Sequence, residues 1–249
     1  MSEANALADR LFDTILDRYP VDASLMGFDV DHESLVDHSE EADQRYRVRL
    51  WAIGDAAERL QPETLPDRIT LGIVLHEVRT QSDDIEARRI EFGISTNLRT
   101  TVPSTLAFLP RVPVDTPERR AGYLERLRRL DGFLATMITR HRTGFEHGRT
   151  PVRHLVEQAI ELINGHLENL NAFDLVDGAS EVIDEVVRPS LENYRDFLRS
   201  EALPLGRDTE HSGLCWLPNR RRGVPEGDPR PHDRGHRPRR VARHRVAVD

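Results

Sequence analysis

Lysine is absent from this chain of 249 residues, and all 35 of its basic residues are arginine. Such usage points to a very GC-rich gene. Cysteine occurs once, at Cys215, which excludes an internal disulfide and a cysteine-rich zinc site. No segment approaches the roughly 20 apolar residues needed to span a bilayer. The opening "MSEANALADRLFDTIL" carries Glu3 and Asp9 and has no basic stretch leading into an apolar run, so no secretory leader is expected. A soluble, cytoplasmic protein is the default expectation. Lysine-free positive charge is also unevenly placed: residues 220–249 hold ten Arg against four acids, a net of +6, which leaves the preceding residues at −14. An acidic body disfavours nonspecific binding to nucleic acid or anionic membranes.

What is present reads as helix after helix, with apolar residues three and four apart and no run of alternating strands. A first helix is expected over Ser2 to Tyr19, with Leu7, Leu11, Phe12, Ile15 and Leu16 on one face and Pro20 ending it. A loop with a turn at Gly27 should follow, and Asp37 with Glu40 offers a capping box for a helix over Ser39 to Leu60. A third helix after Pro66 places Ile69, Ile73, Val74 and Val78 at helical spacing. Three prolines between Phe92 and Pro113 predict a long loop with a short helix.

Thr116 and Pro117 give the start of one long helix stopped by Gly148, and Thr150 with Pro151 repeats that signal. The second of these helices should carry a buried stripe of Val152, Leu155, Val156, Ala159, Ile160, Ile163, Leu167 and Leu170. A last helix over Ser180 to Ser200 contains Pro189, which removes an amide and predicts a kink between Glu185 and Pro189. The fold class expected is all-α, a multi-helix bundle or layered helical domain over residues 1–219, with a disordered Arg/Pro-rich tail over 220–249.

Eleven histidines invite a test for zinc hydrolysis. A helical HExxH places two imidazoles one turn apart and keeps the Glu beside the metal-bound water. "HEVRT" supplies His76 and Glu77 but has Thr80 in place of the second ligand. In "HDRGH", His232 and His236 flank Asp233, yet Gly235 and nearby prolines disfavour the helix that would give the spacing meaning. His141 and His147, and His154 and His166, are not spaced to share a helix face. No GxSxG elbow or phosphate-binding glycine loop occurs, and any Ser, His and acid triad would be guesswork. No catalytic, cofactor-binding or metal residue is assigned.

Two stretches carry a family resemblance: "YPVDASLMGFDVDHESLVDHS" and "VVRPSLENYRDFLRSEALPLGRDTEHSGLCWLPN". They resemble the N-terminal half of the bacterial family known as domain of unknown function 885, in order from about Ala4 to Asn219. Pro20, Gly27, Asp37, Ser39, Arg188, Pro189, Tyr194, Gly213, Leu217 and Pro218 carry the match. The resemblance implies a helical protein similar to HExxH-superfamily zinc metallopeptidases, with a peptide as substrate of the full-length relative. The family's HExxPGH motif belongs to the other half and has no counterpart here, so zinc is expected only in a full-length relative. The matched half would build one wall of a substrate channel.

After "LPN" the family continues with Gly and then Tyr, where this chain has Arg220. Residues 220–249 contain no Leu, Ile, Phe, Met, Trp or Tyr. Back-translation with a shift of one base permits "GVAAYRKAIRVHTT" directly after "LPN", restoring both residues. The reading is therefore a frameshifted, truncated family member, inactive alone. Self-association is expected if its helices leave apolar faces uncovered. The alternative is a helical interaction module whose basic tail binds polyanions with strong salt dependence, although the tail lacks the aromatic residues on which single-stranded bases stack.

Overall fold

The computed structural model describes residues 2–218. The tail, its "HDRGH" and the out-of-frame stretch lie outside them. Among the described residues the structure is helical, and the one strand-like feature is a parallel bridge between Val152 and Arg207.

Helix α1 (Glu3–Arg18) begins on Ser2, whose hydroxyl accepts the Asn5 amide, and carries Glu3 in its first turn and Arg18 in its last, both suited to the helix dipole. Pro20 ends it and at once starts a short α2 (Pro20–Leu25), where the sequence predicts loop; a first-turn proline costs a helix nothing. Gly27 then turns the chain at φ +85°. Helix α3 (Glu40–Arg59) is capped by Ser39, which accepts the Ala42 amide, and not by the expected Asp37 box. Asp37 instead accepts the amide of Ser39.

Helix α4 (Leu65–Glu86) corrects the expected apolar face. Leu71, Val74 and Val78 are buried, whereas Ile69 and Ile73 are 55% and 64% exposed on the opposite side, beside Leu65. Helices α1, α3 and α4 pack on one another around Leu7, Leu11, Leu50, Ile53 and Val74. Phe12 stays largely exposed, edge-on to Phe28.

Residues 92–113 hold the predicted short helix, α5 (Thr101–Phe108). The long helix expected after Thr116 is two, α6 (Pro117–Arg128) and α7 (Leu130–Glu146), divided at Arg129. Helix α8 (Arg153–Glu168) starts later than Thr150 and Pro151 predict. Val152 is held extended by the bridge, in which Arg207 N–H donates to Pro151 O and Arg153 N–H to Arg207 O. The predicted stripe is otherwise buried, with Leu155 and Leu167 at its half-buried edges.

Pro189 interrupts the last helix as expected, by a π turn. The chain runs α9 (Ala179–Val182), a π turn over Ile183–Val187, α10 (Arg188–Phe197), a second π turn over Leu198–Ala202, and α11 (Leu203–Leu205). Proline lacks an amide and its ring clashes with the carbonyl four residues earlier. For Pro189 and Pro204 those carbonyls belong to Glu185 and Ser200, both inside a π turn. Helices α6, α7, α8 and α10 enclose a second core with Leu127, Leu134, Ile163, Phe173 and Leu191 at its centre.

Candidate ligand cleft

Between the two apolar cores lies a network of buried charge. Asp43 of α3 receives Arg18 from α1 and, at 3.1 Å, Arg140 from α7; all three side chains are nearly solvent-free. Glu91, fully buried, is met by Arg88 at 2.6 Å, by Arg149, and by Arg140 at 3.6 Å. Glu40 completes the set through Arg88 and Arg140. Burial pushes the carboxyls of Asp43 and Glu40 up, but His38 and then Arg18 and Arg140 at Asp43, and Gln44 and then Arg88 and Arg140 at Glu40, together hold them below the usual carboxylate range. A charge removed from water needs such partners, and losing one leaves its mate exposed to the full desolvation cost.

Beside this network opens a cleft of about 710 Å³. Its walls come from the C-terminal end of α1, the α2 segment, Tyr46 of α3, Glu77 and Gln81 of α4, Thr100 to Ser104 at the start of α5, His141 of α7 and Tyr194 of α10. Most of the remaining lining is apolar, including Ile15, Leu16, Met26, Ile94 and Leu98. A second, more open groove of about 550 Å³ lies along α8 at His154 and Glu157 and reaches Arg199.

Two histidines reach the cleft, and both are committed to the fold. His141 has Glu91 O 3.3 Å from Nδ1 and the Tyr194 hydroxyl 3.3 Å from Nε2, and it stacks with Phe145 and Phe197. Complete burial pushes its pKa down to about 4, so it is a neutral imidazole near pH 7. His38 stands in a more provocative arrangement. Its Nε2 is 2.9 Å from Thr101 Oγ1 and its Nδ1 3.4 Å from Asp43 Oδ1, the hydroxyl, imidazole and carboxylate order of a hydrolytic triad.

The third contact reverses the meaning of that order. Arg18 Nη2 lies 3.0 Å from His38 Nδ1, and a guanidinium only donates. This contact is shorter than the 3.4 Å one to Asp43, so Nδ1 is read as the acceptor, with the ring proton on Nε2 and Nε2 donating to Thr101; a proton on Nδ1 would serve the Asp43 contact instead. Burial keeps the His38 pKa low against the opposing contact and charge of Asp43, with the charges of Arg18 and Arg140 reinforcing it. An imidazole in this state has no lone pair facing the hydroxyl and cannot act as its base. The chain is a donor relay from Arg18 through His38 to Thr101.

The residues singled out by sequence are scattered. His76 is exposed on the outer side of α4, while Glu77 turns to the cleft and accepts Gln81 Nε2 at 2.6 Å. Thr80 lines the cleft. His147 is exposed near Thr143 O, His154 is exposed, and His166 is half-buried beside Phe173. Among the described residues no three His, Cys, Asp or Glu side chains gather in a way that could hold a metal ion. No described helix is long and apolar enough to cross a membrane.

A family model described as "Bacterial protein of unknown function (DUF885)" matches residues 20–230, ending inside the Arg- and Pro-rich stretch beyond Asn219. The fold is similar to a crystal structure described as that of "the putative lipoprotein from Colwellia psychrerythraea", with a TM-score of 0.66 and 15% sequence identity. That alignment covers 83% of this chain and 42% of the other, so the chain spans about two fifths of its structural neighbour's length. No curated protein matches.

Proposed function

This chain belongs to DUF885, a bacterial family of unknown function, and from that premise we propose that it forms a catalytically silent wall of a substrate cleft in a metallopeptidase-like protein. The observation that carries this reading is the cleft itself. It is large, mostly apolar and floored by fixed polar groups, as ligand sites commonly are. Both histidines that line it, His38 and His141, are hydrogen-bonded within the fold, and burial lowers the pKa of each. Support for a wall also comes from the neighbour, which continues well beyond the length matched here.

The test is a zinc titration with a peptide-cleavage screen on the chain. The expected outcome is no stoichiometric zinc and no turnover. Stoichiometric zinc with cleavage abolished by a chelator would contradict it. Truncation by a frameshift after Asn219 is part of the same proposal, and resequencing the locus tests it. A shifted frame that closes within a few codons, or that never encodes HExxPGH downstream, would refute it. We keep the cytoplasm as the proposed location. Recovery in the membrane fraction, in line with the lipoprotein description of the neighbour, would overturn that.

A further inference from the structure

We infer that the α1, α3 and α4 unit is a jaw that swings on the rest of the chain about a joint of buried charge, opening and closing the cleft. The inference goes beyond the reading of the cleft as a wall and stands without it. The two apolar cores share no buried residue: one is built from α1, α3 and α4 alone, the other from α2, the loop after it and the chain beyond α4. The cleft lies between them, with Tyr46, Glu77 and Gln81 on the jaw and Thr101, His141 and Tyr194 on the body. Units of one chain that meet through polar contacts, without a large apolar interface, are expected to move against each other.

The chain crosses between the two units three times, after Arg18, before Glu40 and after Glu86. All three crossings lie at one end of the jaw, because Arg18 meets Asp43 and Arg88 meets Glu40 at 3.0 Å. The buried ions therefore sit at the crossings. The ties that reach from the jaw to the body are polar: Arg140 of α7 bonds Asp43 at 3.1 Å and Glu40 at 3.3 Å, and His38 Nε2 lies 2.9 Å from Thr101 Oγ1. Opening the joint leaves no charge alone. If Arg140 lets go of the jaw, Asp43 keeps Arg18, Glu40 keeps Arg88, and Arg140 keeps Glu91, which also holds Arg149. The desolvation cost of an unpaired buried ion, which would otherwise lock the joint, does not arise.

A strained residue marks the pivot. Arg88 has φ +54° and ψ +38°, the only positive φ outside glycine among the described residues. A left-handed residue closing a helix is ordinarily glycine, so an arginine there is retained for what its side chain does. That side chain bonds one carboxylate on each side of the joint, Glu40 of the jaw and Glu91 of the body. A single turn, Arg89–Glu91, follows, and then Gly93, where a Cβ would come within 2.7 Å of Arg89 O. Hinges are built from a few such residues at the ends of elements.

Ile73 lies about 22 Å from this pivot along α4 at about 1.5 Å per residue, so a swing of about 15° moves it by about 6 Å. Double electron-electron resonance on the spin-labelled full chain, with Cys215→Ser, reads that movement. One label pair, Ile73→Cys with Asn193→Cys, spans jaw and body at exposed positions, and a second, Ile73→Cys with Val48→Cys, lies within the jaw. Arg140→Gln removes the tie from α7, and Arg88→Gly suits the left-handed position while removing the side chain that spans the pivot. In each variant the expected result is an added population about 6 Å longer in the spanning pair, with the pair inside the jaw unchanged. A spanning pair that stays unchanged in both variants would overturn the joint. Broadening of both pairs together would overturn it too, because the network would then hold the jaw's own fold.

Discussion

At the scale of single residues, the fold rests on a few arginines placed where solvent cannot reach. Arg126 is 1% exposed and makes no salt bridge among the described residues. Its Nε donates to Ser34 O, and Nη2 reaches Pro20 O, Ser24 Oγ and Asp31 O at 2.7 to 3.0 Å. Desolvation pulls its pKa down to about 10, still well above neutrality. One side chain thus fastens the segment between α2 and α3 onto α6, where Gly122 also lets His32 approach to within 2.6 Å of a would-be Cβ. Arg126→Leu should cost about 3 kcal/mol or more in urea unfolding, since several buried acceptors lose their donor at once. A loss below about 1 kcal/mol would refute this role. His141 sets a pH dependence. Its folded pKa of about 4 lies below the unfolded value near 6.5, so on acidification the unfolded chain takes up the proton first. Stability should fall by about 3 kcal/mol between roughly pH 6.5 and pH 4, and His38 and His166 push in the same direction. His141→Gln should flatten that slope in chemical-denaturation curves taken across the window.

At the scale of elements, sequence pattern was a good guide to where helices are and a poor guide to which face they bury. Thr116 with Pro117 and the Ser2 start read correctly because caps are local chemistry. Helix α4 misled because it carries two apolar stripes. Leu65, Ile69 and Ile73 repeat at a spacing of four, as regularly as the stripe of Leu71, Val74 and Val78 that the core uses. Only the neighbouring helices decide between them. Leu71→Ala should cost about 2–5 kcal/mol, whereas Ile73→Ser should stay within about 0.5–1 kcal/mol, and thermal melts of the two variants check the assignment. The π turns show the opposite case, a local signal with a readable consequence. Pro189→Ala should change stability by less than about 1 kcal/mol, because the turn is held by packing of Leu191, Tyr194 and Phe197. A destabilisation above about 3 kcal/mol would mean that the proline itself holds the turn.

At the scale of the whole molecule, the all-α architecture was legible and the cleft was not. The cleft joins residues from α1, α3, α4, α5, α7 and α10, and no single segment carries more than a fragment of it. A signal did exist. Arg18 continues the buried row of Leu7, Leu11 and Thr14, and Asp43 begins the row of Tyr46, Leu50, Ile53 and Ala57. Arg140 stands between Phe133, Met137 and Gly144 on the inner face of α7. Charged residues in core register are the mark of an internal ion network, and they are easily passed over in a chain with so many charged helix faces.

The state of one ring decides whether this cleft holds a catalytic base or a donor relay. Long-range proton–nitrogen NMR on the chain labelled with nitrogen-15 histidine reads the tautomer of His38 directly. The structure predicts a neutral ring near pH 7 with its proton on Nε2 and Nδ1 accepting from Arg18. A proton on Nδ1, leaving Nε2 as a lone-pair acceptor for the Thr101 hydroxyl, would contradict it and turn the same three residues into a nucleophile, a base and its carboxylate.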